Sequence, residues 1–217
     1  MSLKTLLFNV RSIINLQKRL RLADYALKHD FDLILLTETW LTKDIENSEL
    51  LLSNYEIFRA NRSVGENEIS KHGGCLIALK KTLSGIKVNL GQCSKALEDS
   101  FVAIKLVQPN PIYIAVLYNP PSDSKYRLST KEVQELFTIL NKIRQMGKTI
   151  LVGDFNLPGV DWGAYSSDND YESLFIDGII SANLKQVVDF NTTDASCLDL
   201  ASLVMIPISA ASKRWET

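Results

Sequence analysis

Cysteine is scarce in this sequence, and the few cysteines present follow no pattern. The chain has 217 residues and three cysteines, Cys75, Cys93 and Cys197. An odd number without the spacing of metal ligands argues against a disulfide framework and against a cysteine-based zinc site. We expect reduced thiols in an intracellular protein, with two of the three in the core.

The sequence also lacks a long hydrophobic run and an excess of charge of either sign. No apolar stretch approaches the ~20 residues that cross a bilayer, and residues 1–5 have no secretory organisation, so we expect neither a membrane span nor a leader. The chain has 24 Lys and Arg against 25 Asp and Glu, a net charge of -1. A polyanionic partner would therefore have to be held by a local patch or by a metal ion.

No repeat, low-complexity tract or linker divides the chain, so we expect a single domain. Apolar runs predict strands over 3–10, 31–36 and 148–152, and helical periodicity predicts helices over 15–28, 130–146 and 171–182. Between them, short β-rich segments are separated by glycine and proline turns, at 55–60, 74–79, 86–90, 101–107 and 112–118. A last strand pair is expected at 185–190 and 197–205. This order predicts an α/β (α+β) fold, a sandwich of two mixed sheets flanked by helices.

The helix over 15–28 is predicted to be amphipathic. Its apolar side would carry Leu16, Leu20, Ala23, Ala26 and Leu27. Its outer side would be basic, with Lys18, Arg19, Arg21 and Lys28. Such a face is ordinarily solvated, and contact with DNA is the alternative.

The tetrad Gly153-Asp154-Phe155-Asn156 is the clearest candidate for chemistry. It follows the apolar run 149–152 and is therefore predicted to be a tight polar turn at the end of a buried strand. Asp154 and Asn156 would point the same way, because strand side chains alternate with period two. A carboxylate and an amide side by side could hold a metal-bound phosphate and an attacking water. Alternatively, the two side chains merely cap backbone groups of the turn.

Polar residues stand at the ends of other apolar runs, namely Asn9, Glu38, Tyr118 and Asp199. Strand ends on one side of a sandwich converge, so these groups could line one pocket with the tetrad. Their oxygens suit a hard divalent cation such as Mg²⁺ or Mn²⁺, which stabilises charge on a phosphoryl group. Each also has an ordinary structural reading: Glu38 as a solvated cap, Tyr118 as a core tyrosine, Asn9 as a turn residue and Asp199 as a loop carboxylate.

Five short motifs occur in a fixed order along the chain. They are Phe8-Asn9-Val10-Arg11-Ser12, Leu36-Thr37-Glu38-Thr39-Trp40, Tyr118-Asn119-Pro120-Pro121, Gly153-Asp154-Phe155-Asn156 and Leu198-Asp199-Leu200. Together they resemble the successive motifs of the endonuclease/exonuclease/phosphatase family. LTETW, YNPP and GDFNLPGVDW are most similar to the apurinic-like endonuclease domains of non-LTR retrotransposons. The resemblance spans residues 3 to about 202 and implies a DNase I-like fold.

The resemblance also implies a role for each of these residues. Glu38 would be the principal metal ligand, with Asn9 assisting the metal or contacting the scissile phosphate, and Asp154 lining the same metal site. Asp154 would in addition activate or orient the attacking water.

Three further residues would act on the phosphate or on their neighbours. Tyr118 would hydrogen-bond the phosphate, and Asn156 would hold the phosphoryl oxygens in the transition state. Asp199 would orient neighbouring groups of the site.

The function implied by the resemblance is Mg²⁺- or Mn²⁺-dependent nicking of DNA, which exposes a 3′-hydroxyl. In an intact element that end would prime a reverse transcriptase domain of the same polyprotein. We expect a monomer that acts on DNA in the nucleus, with no membrane association and no small-molecule cofactor. A different phosphoesterase of the same superfamily, acting on phospholipid or inositol phosphate, is the alternative within the enzyme class.

One motif of the family is missing from this chain. Members carry a late Ser-Asp-His sequence, whereas the two histidines here are His29, at the end of a basic helix, and His72, before Gly73-Gly74. We expect neither to replace the missing histidine. Similarity ends near residue 202, so we expect a C-terminally truncated fold with a non-homologous tail at 203–217 and impaired activity. A catalytically dead remnant with at most weak DNA binding is the alternative.

Overall fold

The computed structural model of the chain describes residues 3–61, 73–188, 199–203 and 209–210, the last two segments by their backbone. Eleven strands occur in this part of the chain: β1 (Lys4–Asn9), β2 (Leu33–Thr37), β3 (Tyr55–Ala60), β4 (Cys75–Lys80), β5 (Gly85–Lys87), β6 (Phe101–Leu106), β7 (Ile112–Tyr118), β8 (Lys148–Asp154), β9 (Lys185–Gln186), β10 (Asp199–Leu203) and β11 (Ser209–Ala210). The helices are α1 (Leu16–His29), α2 (Lys95–Ser100), α3 (Thr130–Met146) and α4 (Asp170–Ser181), with a short 3-10 helix at Asn47–Leu50.

The strands form two mixed sheets. In the first sheet the order is β11-β1-β2-β4-β3, and β1 runs parallel to β2 and β11 while β4 is antiparallel to both neighbours. In the second the order is β5-β6-β7-β8-β10-β9, and β7 and β8 are the parallel pair. Two mixed sheets with helices on the outside confirm the predicted fold class.

Strand β2 illustrates how the sequence builds the layers. Leu33 and Leu35 pack in the apolar cluster between the two sheets, with Ile114 of β7 and Val152 of β8. The alternate residues Ile34 and Leu36 belong to the cluster beneath α1. Because successive side chains of a strand point to opposite faces, a continuous apolar run is buried on both sides. The third cluster lies between the second sheet and helices α3 and α4.

Helix boundaries follow the capping residues that the sequence supplies. Ser129 accepts from the backbone of Glu132, whose carboxylate accepts from the backbone of Ser129, and α3 begins at Thr130 as predicted. Helix α2 was not predicted, because six residues are too few to show a helical period. Its signal is Ser94, which caps it by accepting from the amide of Leu97.

The prediction for the outer face of α1 is wrong for Arg19. This residue is buried, and its guanidinium donates to the backbone oxygen of Glu49 at 3.0 Å and pairs with the Glu49 carboxylate at 3.4 Å. The helix buries the stripe Arg19, Leu22 and Ala26, and leaves the predicted packing residues Leu16, Leu20 and Leu27 exposed. The helix is therefore rotated from the predicted orientation, and the long side chain of Arg19 lets its charged group reach the 3-10 helix while the residue is buried.

Two further expectations concern the cysteines and membranes. Cys75 is fully buried and Cys93 half-buried, while Cys197 lies outside the described residues. Within the described segments, no helix combines the length and the apolar character that crossing a membrane requires.

Candidate active site

The carboxyl ends of four strands meet at one edge of the sandwich. Asn9, the last residue of β1, pairs with Thr37 at the end of β2, so Glu38 follows directly. In the other sheet, Tyr118 at the end of β7 pairs with Asp154 at the end of β8. Parallel strands bring their carboxyl ends to the same edge, and this convergence is what the sequence predicted for these four residues.

Asn9 joins the two sheets through its side-chain amide. Its Nδ2 donates to Glu38 Oε1 at 2.7 Å and to Asp154 Oδ2 at 2.8 Å. The two carboxylate oxygens are therefore separated by less than the sum of these distances. This meets the expectation that the carboxylates of Glu38 and Asp154 lie within about 8 Å of each other, close enough to share an ion. Two carboxylates at this separation repel each other unless a hydrogen-bond donor or a cation lies between them.

Tyr118, at the end of β7, is the fourth residue of this cluster. The residue is buried, and its hydroxyl hydrogen-bonds Glu38. Burial raises the pKa of Tyr118, and the negative charges of Glu38 and Asp154 raise it further. The tyrosine consequently stays protonated near neutral pH and keeps a hydrogen to donate.

Glu38 lies in a turn whose backbone is held on both sides. Its φ is 52°, a left-handed conformation that is unfavourable for glutamate. The amide of Ser12 donates to the Glu38 oxygen at 2.7 Å, and the amide of Trp40 donates to the Gly73 oxygen at 2.9 Å. A Cβ on Gly74 would lie 2.7 Å from Thr39 Oγ1, so the adjoining strand approaches as closely as glycine allows. These contacts hold the carboxylate toward the site at a cost in backbone strain.

The tetrad is shaped by its glycine and anchored by its phenylalanine. Gly153 has φ +147°, and a Cβ there would lie 1.8 Å from the Leu117 oxygen, so no other residue fits this position. Phe155 is fully buried and meets the Phe175 ring edge-on at a centroid distance of 6.0 Å. Asp154 ends strand β8 in the cluster with Asn9, and Asn156 follows in a left-handed turn with φ 48°.

The side-chain contact of Asn156 supports its structural reading as a residue that caps backbone groups of the turn. Its Nδ2 donates to the backbone oxygen of Asn119 at 2.9 Å, which is the capping role that the alternative reading assigned. Strand β8 ends at Asp154 and Asn156 follows in the left-handed region, so strand alternation does not make the two side chains point the same way, and a role of Asn156 at the phosphate stays a prediction. Sequence reasoning gave Asn119 itself no role, although it directly follows Tyr118 in the YNPP motif; the structure makes it the residue that ties this strand to the tetrad.

A cavity of about 230 Å³ opens beside Tyr118. Its lining includes Gly74, Pro120, Lys125 and Arg127. The acidic residues of its wall are engaged elsewhere: Asp99 pairs with Lys95 at 3.0 Å, and Glu132 belongs to the Ser129 cap. Lys125 and Arg127 bring two positive charges to the wall of this cavity, although the net charge of the chain is -1.

The donor set of the cluster fits a hard divalent cation. Across the described segments no three Asp, Glu, His or Cys side chains surround a common point. Glu38 and Asp154 do supply two converging carboxylates, which Mg²⁺ favours together with waters and substrate oxygens. Asn9 turns its nitrogen to both carboxylates, while its Oδ1 accepts from the Arg11 amide at 3.2 Å. Its assignment as a metal ligand stays a prediction.

The remaining candidates lie elsewhere or outside the described side chains. The backbone of Asp199 pairs with Asp154 across β10 and β8, which sets it at the same edge, but its side chain is not described. His29 packs against Tyr25 and Phe31 near the start of β2, at the other end of the sheet from Glu38. His29 therefore cannot serve this site, and His72 lies outside the described residues.

Sequence comparison extends this picture beyond the single chain. The profile of the Endonuclease/Exonuclease/phosphatase family matches residues 6–200, a range that contains all five motifs. Among curated proteins no match was found.

Several solved structures share the fold. The endonuclease domain of TRAS1, a telomere-specific non-LTR retrotransposon, is 15% identical with a TM-score of 0.60, over 92% of this chain and 83% of that one. An AP endonuclease from Archaeoglobus fulgidus is 15% identical with a TM-score of 0.61, over 91% and 84%. The 3′ phosphatase NExo from Neisseria, bound to product DNA hairpin, is 15% identical with a TM-score of 0.61, over 93% of this chain and 86% of that one.

Proposed function

Because this chain belongs to the endonuclease/exonuclease/phosphatase family, we propose that it cleaves a phosphodiester bond of DNA with the help of a divalent metal ion, Mg²⁺ or Mn²⁺. The observation that carries the proposal is the cluster in which Asn9 bridges the carboxylates of Glu38 and Asp154. Two carboxylates that need a positive partner, beside a protonated tyrosine, are suited to binding a metal and a phosphate together.

DNA is the proposed substrate for two reasons. The cavity beside Tyr118 carries Lys125 and Arg127, which could neutralise phosphates on either side of the scissile one. The motifs resemble those of non-LTR retrotransposon endonucleases, and the endonuclease domain of one such element shares the fold. We therefore propose target nicking that exposes a 3′-hydroxyl, with a reverse transcriptase domain on the same polyprotein and with the nucleus as the place of action.

Glu38 and Asp154 would hold the metal ion, which when bound would stabilise negative charge on the phosphoryl oxygens and favour ionisation of a water. The Tyr118 hydroxyl stays protonated, and it would donate its hydrogen to the phosphate in place of Glu38 when that carboxylate binds the metal ion. Asp154 would orient the attacking water and accept its proton. Asn156 would stabilise the charge that develops on the phosphoryl oxygens, and Asp199 would orient its neighbours.

A second candidate function is DNA binding without efficient cleavage. It is favoured by the position of His29 at the far end of the sheet, which leaves the site without that histidine as a proton donor. Loss of a general acid or base typically lowers a rate by about 10² to 10⁴-fold. We propose a nuclease whose rate is reduced by a factor of this order, and complete inactivity is the limiting case.

Nicking of supercoiled plasmid with Mg²⁺ tests the proposal. The wild-type chain is compared with Glu38→Gln, which keeps the shape but removes a charge from the cluster. The matched control is Glu56→Gln, an exposed glutamate on β3. We expect Mg²⁺-dependent nicking by the wild type and by Glu56→Gln, and a loss of about 10²-fold or more in Glu38→Gln.

Each other outcome of this experiment selects an alternative. Equal nicking by Glu38→Gln would assign the activity to a contaminant and contradict the proposal. DNA binding without nicking would favour the second candidate. Release of phosphate from an inositol phosphate, without DNA nicking, would favour a different phosphoesterase activity.

A further inference from the structure

Asn119 is buried completely, and both ends of its side chain and both of its backbone polar groups are hydrogen-bonded. Its backbone amide donates to the Asp154 oxygen at 2.9 Å, and its Nδ2 donates to the Phe155 oxygen at 2.8 Å. Its backbone oxygen accepts from Asn156 Nδ2 at 2.9 Å. One residue at the end of β7 thus binds three successive residues of the tetrad.

The orientation of the Asn119 amide is determined by its second set of partners. Its Oδ1 accepts from the Tyr171 hydroxyl at 3.0 Å and from the Leu128 amide at 3.4 Å. Both partners donate, so the oxygen must face α4 and the loop before α3. The amide nitrogen must then face the carbonyl of Phe155, which can only accept.

The tetrad needs such support because its backbone is unusual at two positions. Gly153 has φ +147° and Asn156 has φ 48°. Glycine adopts its conformation readily, whereas the left-handed conformation of Asn156 is unfavourable for a residue with a side chain and depends on the contacts around it. Asp154 and Asn156 lie within this strained turn, and a displacement of ~1 Å in a reacting group can cost about 10²-fold in rate.

We propose that Asn119 is a positioning residue of this site, which holds Asp154 and Asn156 in place through the Phe155 carbonyl and is itself oriented by Tyr171. The inference rests on the proposed function, since it assigns a role in the same reaction. Asn119 reaches the phosphate only through these residues. Its removal should therefore lower kcat while leaving KM for DNA nearly unchanged.

Two variants separate the two sides of Asn119. Asn119→Asp keeps the size and the acceptor toward Tyr171, and replaces the donor toward Phe155 with an oxygen. Tyr171→Phe removes one donor from the other side and leaves the tetrad bond in place. The matched control is Tyr165→Phe. The Tyr165 hydroxyl accepts from the backbone amide of Gln186 at 2.9 Å, a contact outside the tetrad.

In the nicking assay we expect Asn119→Asp to lower kcat by about 10²-fold at pH 8 with KM within about twofold. Tyr171→Phe should lower kcat by a few-fold, and Tyr165→Phe should not change it. The defect of Asn119→Asp relative to wild type should shrink as the pH falls, because a protonated carboxyl donates to the Phe155 carbonyl again. An unchanged kcat in a folded Asn119→Asp, or a rise in KM alone, would overturn the proposal.

Hydrogen–deuterium exchange of the same variants gives a readout that does not need activity. We expect peptides covering 153–160 to exchange at least about tenfold faster in Asn119→Asp, with α1 unchanged. Faster exchange throughout the chain would mean general destabilisation and would contradict a positioning role, as would unchanged exchange at 153–160. If the wild type does not nick DNA, the proposed function fails, and the exchange experiment still decides whether Asn119 holds the tetrad.

Discussion

The side-chain nitrogen of Asn9 lies 2.8 Å from a carboxylate oxygen of Asp154, although 145 residues separate the two in the chain. The same nitrogen lies 2.7 Å from Glu38, so one neutral amide occupies the position between two negative groups. In this arrangement the amide reduces a repulsion that a bound cation would remove more completely. The contact links the stability of the sandwich to the chemistry of its edge.

Asn9→Ala tests this link. The variant loses two hydrogen bonds to charged acceptors, which are worth about 1.5 to 3 kcal/mol each, so we expect a loss of roughly 3 to 6 kcal/mol in the free energy of unfolding without metal. Mg²⁺ should restore more stability to Asn9→Ala than to the wild type, because it separates the same carboxylates. Urea unfolding with and without Mg²⁺ measures both effects. Asn54→Ala, at an exposed position, is the control, and equal Mg²⁺ effects on Asn9→Ala and wild type would contradict the argument.

Gly153→Ala should lower the free energy of unfolding more than the same substitution at a glycine with open space around it. The added Cβ would lie 1.8 Å from the Leu117 oxygen of the paired strand, and backbone cannot move away cheaply. We expect a loss of about 3 kcal/mol or more in urea unfolding. Gly91→Ala is the matched control: its φ is +73° but nothing lies within 4 Å of the Cβ, so only about 1 kcal/mol of conformational strain is expected. Similar losses in the two variants would show that the strand contact does not matter.

Lys125→Glu should weaken DNA binding without changing the fold. Lys125 is exposed at the cavity beside Tyr118, where a phosphate next to the scissile one would lie. We expect the Kd for DNA to rise. The slope of log Kd against the logarithm of the salt concentration should fall by about 1. Lys148→Glu provides the comparison, since Lys148 is exposed at the opposite end of β8 from Asp154. Equal effects of the two substitutions on the Kd would show that Lys125 acts only through the overall charge of the chain and makes no local contact with DNA.

Tyr118 should make the stability of the chain fall in alkaline solution. Burial and the charges of Glu38 and Asp154 raise the pKa of Tyr118 above its unfolded value near 10. A raised folded pKa contributes stability that is fully present below pH 10 and is lost as the pH rises above it. We expect the difference in unfolding free energy between wild type and Tyr118→Phe to be constant up to about pH 9 and to change in favour of the variant above pH 10. Parallel pH profiles in urea unfolding would contradict this.

Much of the fold was determined by the local sequence. Ser129 with Glu132 and Gly147 set the ends of α3 at the predicted residues, because caps act on backbone groups within one turn. The apolar run before Gly153 gave a buried strand, and the order of motifs gave the fold class. These features depend on neighbours that are close in sequence, so periodicity and turn residues are sufficient to predict them.

The tertiary structure alone decided which distant residues meet. Either of two stripes of α1 could have been buried, and the structure buries the stripe with Arg19, whose guanidinium bonds the Glu49 carbonyl, and exposes Leu20. The sequence placed Asn9, Glu38 and Asp154 at strand ends, but only the pairing of β1 with β2 and the packing of the two sheets turned one amide toward both carboxylates. The role of Asn119 was likewise hidden, since its partners at 154–156 and 171 are distant in sequence and become neighbours only when β7, β8 and α4 pack together.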